Sequence, residues 1–174
     1  MSTMRLLPAF FAGVLSVFAA GQTPRAELRL KSIDGQHVRL SDTRGKVVVL
    51  NFWATWCAPC AAEMPMLVQA EKDYRSKGVV FIVASVDDRK TKKNVRDFVR
   101  KYNVGFSVWL DATMRDLLRL GMGTAVPATA FLDREDHILS RVQGQMHEGD
   151  LRERLEWLLS DRTSPAPPPL VRRP

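Results

Sequence analysis

Only two cysteines stand in the 174 residues, Cys57 and Cys60, and that scarcity excludes several chemistries. A tetrahedral zinc takes about four ligands, usually from Cys and His. The three histidines, His37, His137 and His147, show no close ligand spacing that could complete such a site, so no metal is expected. Haem attachment needs His directly after the second cysteine, where Ala61 stands. A stabilising disulfide framework is excluded as well, because one bridge across two intervening residues closes almost no loop.

Acidic charge is also in short supply, with 19 Asp and Glu against 26 Lys and Arg and a net charge of +7. The densest basic group is Arg89, Lys90, Lys92, Lys93, Arg96, Arg100 and Lys101. It falls in a segment of helical spacing with no recognition module beside it, so it reads as a solvated face and no nucleic-acid partner is expected. The longest apolar stretch falls in the first residues. Arg5 is the only charge before an apolar stretch over 6–20, the pattern of a secretory signal. The stretch is short for a membrane span, which needs about 20 apolar residues, and Pro8 shortens it further. Residues 1–21 are therefore expected to be a signal peptide, cut near Ala19, Ala20 or Gly21, or an N-terminal membrane anchor. Either form places the rest of the chain outside the cytoplasm, in a periplasmic or extracytoplasmic location.

What the chain does carry is concentrated in Trp56-Cys57-Ala58-Pro59-Cys60. The pair follows an apolar run over 47–53 that reads as a buried strand, and precedes a helical pattern extending to about Lys77. A Cys-x-x-Cys between strand and helix is the redox signature of a thioredoxin-like unit. At a helix N-cap, Cys57 would have its thiolate stabilised by unpaired backbone N–H groups and the helix dipole. Ala58 and Pro59 would form the first turn, where proline's missing N–H is not needed. Cys60 then lies one turn further in, placed to resolve a mixed disulfide on Cys57. Cys57 is the expected attacking thiol and Cys60 the resolving one.

The remaining elements fit around this unit. Two alternating segments, 27–31 and 37–40, flank Asp34-Gly35 and read as a hairpin. Gly78 offers a left-handed helix stop, and Pro65 falls inside the helix, where it should kink it. Residues 79–86 read as a parallel strand buried on both faces. Residues 92–102 and 114–120 read as helices, 106–110 as a short strand or link, 129–133 and 138–143 as strands. Leu151, Leu155 and Leu158 mark a closing helix. The expected fold class is α/β, a mixed central sheet flanked by helices with an N-terminal hairpin extension, in one domain over 26–160. The Pro-rich tail, 161–174, is expected to be disordered or polyproline-like.

Across 26–160 the chain resembles the TlpA-like branch of the thioredoxin superfamily (TlpA, ResA and DsbE), exported thiol–disulfide oxidoreductases that include cytochrome-maturation reductases. The residues carrying the resemblance are Asn51-Phe52-Trp53-Ala54-Thr55-Trp56-Cys57-Ala58-Pro59-Cys60, Glu63-Met64-Pro65, and Gly123-Thr124-Ala125-Val126-Pro127-Ala128-Thr129 continuing to Asp133. The resemblance implies a cis Pro127 facing the cysteine pair. The backbone of Val126 would then be free to pair with an extended substrate, and surface grooves around Trp56, Val126 and the loop over 87–91 would choose the partner. It also implies that Glu63 influences thiol protonation and helps to deprotonate Cys60.

Departures are informative. Asn51 stands where thioredoxins carry a buried Asp, which shifts proton handling toward Glu63 or water. Ala128 replaces the Glu common after the cis proline in the cytochrome-maturation subgroup. A peroxiredoxin-type site would have Pro seven and Thr or Ser three residues before its cysteine, but Leu50 and Ala54 stand there. No histidine lies between the cysteines, and a cation there would favour the reduced form. The expected activity is reduction of protein disulfides by a Cys57–Cys60 dithiol cycle. That cycle needs no cofactor beyond its own redox-active disulfide. Its partners would be protein thiol and disulfide substrates and a membrane-bound electron donor of the DsbD or CcdA type. The alternatives are an oxidase or isomerase on the same fold, and a Cu(I)-binding thiol module with Met64 and Met66 nearby.

Overall fold

The computed structural model describes residues 24–173, so the expected signal or anchor over 1–21 lies outside the described residues. Eight strands form one mixed sheet in the order β2-β1-β5-β4-β3-β6-β7-β8. They are β1 (Arg29–Ser32), β2 (His37–Arg39), β3 (Val47–Trp53), β4 (Val79–Ser85), β5 (Ser107–Leu110), β6 (Ala128–Leu132), β7 (Ile138–Gln143) and β8 (Leu170–Arg172). Four α-helices accompany them: α1 (Ala58–Tyr74), α2 (Val95–Lys101), α3 (Met114–Arg119) and α4 (Glu148–Leu159).

The central strand β3 is buried along all seven residues because both sheet faces are covered. Its side chains alternate between them. Val47, Val49 and Trp53 enter a core shared with α1, α2 and α4, through Leu67, Phe98, Leu151 and Leu155. Val48, Leu50 and Phe52 enter a second core with Leu28, Leu40, Trp109 and Leu117. That alternation puts Asn51 on the α1 face, a polar residue in an apolar layer. β3 runs parallel to β4 and antiparallel to β6, with Asn51 opposite Thr129 and Phe52 opposite Ala128. The end of β3 and the start of β6 therefore meet at the same sheet end, where the redox motif and Pro127 emerge.

The hairpin of β1 and β2 extends the sheet beyond β5, as its alternation predicts. α1 continues through Pro65 to Tyr74, and a 3-10 turn, Arg75–Lys77, ends at Gly78 with φ of +80°. The segment over 92–102 begins with a 3-10 turn, Lys92–Asn94, before α2.

The tail corrects the expectation of disorder. Leu170–Arg172 form β8, parallel to β7, with Val171 opposite Val142. The prolines bar a helix and an inner strand, but Pro169 lies just before β8, so an edge strand remains open to Leu170–Arg172. The Ser140 hydroxyl donates to Pro168 O at 2.7 Å, and Arg141 N donates to Pro169 O at 2.9 Å. The proline carbonyls thus serve as acceptors although the proline nitrogens cannot donate.

Candidate active site

Cys57 caps α1 and is joined to Cys60 by a disulfide with Cα atoms 5.3 Å apart. Cys57 has extended backbone angles, and its sulfur accepts from Cys60 N at 3.2 Å. Ala58 and Pro59 occupy the first helical turn, where no backbone donor is lost. Cys57 keeps 5% of its surface exposed and Cys60 none, so only Cys57 can be met from outside. Trp56, before it, is 59% exposed, while Trp53 is wholly buried against Phe98.

The turn carrying the pair is fixed from below. Cys57 N donates to Ala54 O at 3.2 Å. The carboxylate of Asp87, just past the end of β4, accepts from Thr55 N at 2.9 Å, Thr55 Oγ1 at 2.6 Å and Ser85 Oγ at 2.8 Å. The sequence pattern assigns Asp87 only to a loop. The signal that could have found it is an acid two residues after Ser85, at the C-terminal end of a buried parallel strand, where α/β sheets place their sites.

Pro127 joins Val126 through a cis bond, at the sheet end shared with Cys57. Pro127 O accepts from Gly144 N at 2.9 Å. Among the described residues, the Val126 backbone makes no hydrogen bond, which leaves it available to an extended chain.

Glu63, one turn beyond Cys60, is 2% exposed. Asn51 Nδ2 donates to its Oε1 at 2.7 Å, and Met146 N to its Oε2 at 2.9 Å. Burial pushes its carboxyl from 4.5 up to about 7, outweighing these two hydrogen bonds, which favour the charged form. Glu63 can therefore exchange a proton near neutral pH. Asn51 Nδ2 also donates to Thr129 Oγ1 at 2.9 Å, whereas Asn51 Oδ1 is buried without a partner. A half-turn of the amide would present Oδ1 to a protonated Glu63, so one side chain can serve both protonation states. Met146 is the partner that sequence could not supply, since it contributes a backbone N–H from 83 residues away.

Comparison with known proteins shows the family to which the chain belongs. The AhpC/TSA family model matches residues 21–141. The thiol-disulfide oxidoreductase ResA of Bacillus subtilis is 33% identical over 156 residues, covering 90% of this chain and 84% of the relative. ResA of Geobacillus thermodenitrificans is 31% identical over 147 residues, 84% of this chain and 82% of that one. A secreted Mycobacterium tuberculosis disulfide oxidoreductase homologous to E. coli DsbE superposes with a TM-score of 0.65 at 27% identity, covering 77% of this chain and 98% of its own. With Leu50 and Ala54 upstream of Cys57, the chain shares that family's fold and has Cys-x-x-Cys chemistry. The chain belongs to the AhpC/TSA family of the thioredoxin superfamily and is a thiol–disulfide oxidoreductase of the ResA and DsbE type.

Proposed function

We propose that the protein works outside the cytoplasm as a reductase of protein disulfides. The observation that carries this reading is the pairing of a reachable Cys57 at a helix N-cap with a wholly buried Cys60 one turn from Glu63. In the dithiol form, the Cys57 thiolate is stabilised by the Cys60 N–H and the start of α1. It attacks one sulfur of a substrate disulfide, forming a mixed disulfide and releasing the other sulfur as a thiolate. The Cys60 thiol gives its proton to the Glu63 carboxylate and attacks Cys57 Sγ. That step forms the Cys57–Cys60 bond and releases the second substrate thiolate, which takes up a proton. Two electrons have moved from the protein to the substrate. The free Val126 backbone supports docking of an extended segment beside Pro127, and the exposed Trp56, next to Cys57 in the chain, offers it an aromatic surface. Re-reduction falls to a membrane-bound dithiol donor of the DsbD or CcdA type. The apolar stretch over 6–20 supports export, and one relative is itself described as secreted.

The absence of a cation between the cysteines supports the reducing direction, because nothing beyond the helix end stabilises the thiolate. Two measurements test the proposal. Insulin-disulfide reduction should be abolished in Cys57→Ser, and full retention would sink the dithiol cycle. The Cys57–Cys60 couple should equilibrate with thiol buffers near the roughly −270 mV of thioredoxin. A value near −120 mV, about that of strong oxidants, would make the protein a disulfide donor instead.

A further inference from the structure

The segment from Gly144 to His147 touches the site twice, through Gly144 N on Pro127 O and Met146 N on Glu63. At Gly144 it is met by the C-terminal tail, which lies beyond the 21–141 matched by the family. Gly144 has φ of +87°, and a Cβ there would stand 2.6 Å from the Arg173 carbonyl oxygen, so backbone meets backbone with no room for a side chain. Arg173 N donates to Gln143 O at 2.8 Å. The Arg173 guanidinium donates to Asp150 Oδ1 at 3.0 Å. Asp150 in turn accepts from His147 N at 2.9 Å, capping α4 one residue after Met146. Deeper in, the buried Arg154 ties Ser140 Oγ, at 2.8 Å, to Pro168 O, at 3.4 Å.

We propose that Arg173 and strand β8 are positioning elements for Glu63, fixing the Gly144–His147 segment so that the Met146 N–H stays on the carboxylate. This inference rests on the reading of Glu63 as the proton-exchanging group of the site. Cys57 and Cys60, at the start of α1, are joined in the disulfide and do not titrate in the oxidised chain. The other charged groups of α1, Glu71, Lys72 and Asp73, lie two turns or more beyond Glu63, and α4 carries His147 and Asp150 at its start, then Glu148, Arg152, Glu153, Arg154 and Glu156. β3 and β6 bring only the neutral Asn51 and Thr129. The Met146 N–H favours the ionised carboxylate. Loosening it must therefore move the titration of Glu63 upward. The tail thereby holds the acid nearer neutrality than burial alone would.

The test is a carbon-13 NMR titration of the Glu63 side-chain carboxyl in the oxidised full-length chain, comparing wild type with Arg173→Ala and Arg173→Lys. Alanine removes the cation from Asp150, and the midpoint is expected to rise by about half a pH unit or more. Lysine keeps a cation there and should restore most of the wild-type value. A chain ending at Ser164 should show the same rise or a larger one. If that chain does not fold, the point variants decide. A midpoint that stays or falls in Arg173→Ala, whatever happens to the melting temperature, overturns the proposal by leaving the tail a purely structural role. The titration needs no turnover, so loss of disulfide reduction in the wild type would refute the reductase reading without touching this result.

Discussion

Glu63 and Arg154 are both ionisable and nearly sealed from solvent, 2% and 1% exposed, yet they are built in opposite ways. Arg154 meets counter-charges and acceptors: Asp150 at 3.7 Å, Glu153 at 3.3 Å, the Ser140 hydroxyl and two carbonyls. Burial lowers its pKa, but a guanidinium so far above neutrality stays charged. Glu63 receives two neutral donors and no cation. A carboxylate buried that way cannot hold its charge at the usual pH, and the cost appears as a raised pKa. Burial with counter-charge makes Arg154 an anchor. Burial without it makes Glu63 a group that exchanges a proton within the physiological range, one turn from Cys60.

The largest effect that would break this contrast falls on Arg154. Arg154→Ala removes the tie between α4, β7 and the tail, and should cost about 3–5 kcal/mol in urea unfolding. That loss should not vary between pH 5 and 8, since the guanidinium does not titrate there. A loss that grew or faded across that range would erase the distinction.

Glu63 should behave oppositely. Its folded pKa is raised from 4.5 to about 7, so the protonated form favours folding. Relative to Glu63→Gln, the stability it contributes is fully present below pH 4.5 and is lost as pH rises through 7. The loss between those limits is about 3 kcal/mol, at about 1.36 kcal/mol for each pH unit separating the folded and unfolded pKa values. Urea unfolding of both oxidised proteins at pH 4.5 and 8 measures it directly. The same variant should slow disulfide reduction at pH 7 about a hundredfold and remove the inflection near pH 7 from the rate profile. A parallel pair of stability curves would show that Glu63 titrates in the fold as it does in the unfolded chain, with no raised pKa.

Asp87 comes next, a buried acid that holds its turn through neutral donors alone. Asp87→Ala leaves the Thr55 N–H and the Thr55 and Ser85 hydroxyls without their acceptor. About 2 kcal/mol of stability should go with it. The turn holding Cys57 should also exchange its amides faster, which hydrogen exchange at Thr55 and Cys57 would show.

Much of this was legible in the sequence, and the limits have physical causes. The unbroken apolar run into Cys57, the Pro59 in the first turn and the Gly78 stop are local signals, and the structure puts strand, helix and left-handed cap where they point. Whether Glu63 is buried was not legible, because spacing along a helix says nothing about what packs on it. The answer depends on Asn51, turned to the same face by strand alternation, and on a backbone donor from Met146. β8 was hidden because the prolines dominate the tail's composition. The residues that seat it, Ser140 and Arg154, do so through contacts to Pro168 that no local spacing encodes. Asp87 was passed over because its partners, Thr55 and Ser85, meet only when β3 and β4 pair.

The smallest effect on stability is expected at Trp56, where the comparison turns from buried charge to exposed aromatic surface. Trp56 is 59% exposed, so Trp56→Ala removes little buried area and should leave unfolding free energy within about 0.5 kcal/mol of wild type. Its neighbours form an open groove of about 290 Å³, lined by Thr55, Thr91, Asn94, Phe98 and Lys101 among others. An aromatic ring kept in solvent beside the one reachable sulfur has little to do for the fold, since Trp53 and Phe98 already fill the core below it. It can still desolvate and stack against a polypeptide on arrival. Reduction of a folded protein disulfide should therefore show a KM raised several-fold in Trp56→Ala, while kcat and the rate with a small-molecule disulfide change little. Equal losses with both substrates would mean that the ring acts on Cys57 itself, and the division between a buried proton-handling side and an exposed docking side would have to be redrawn.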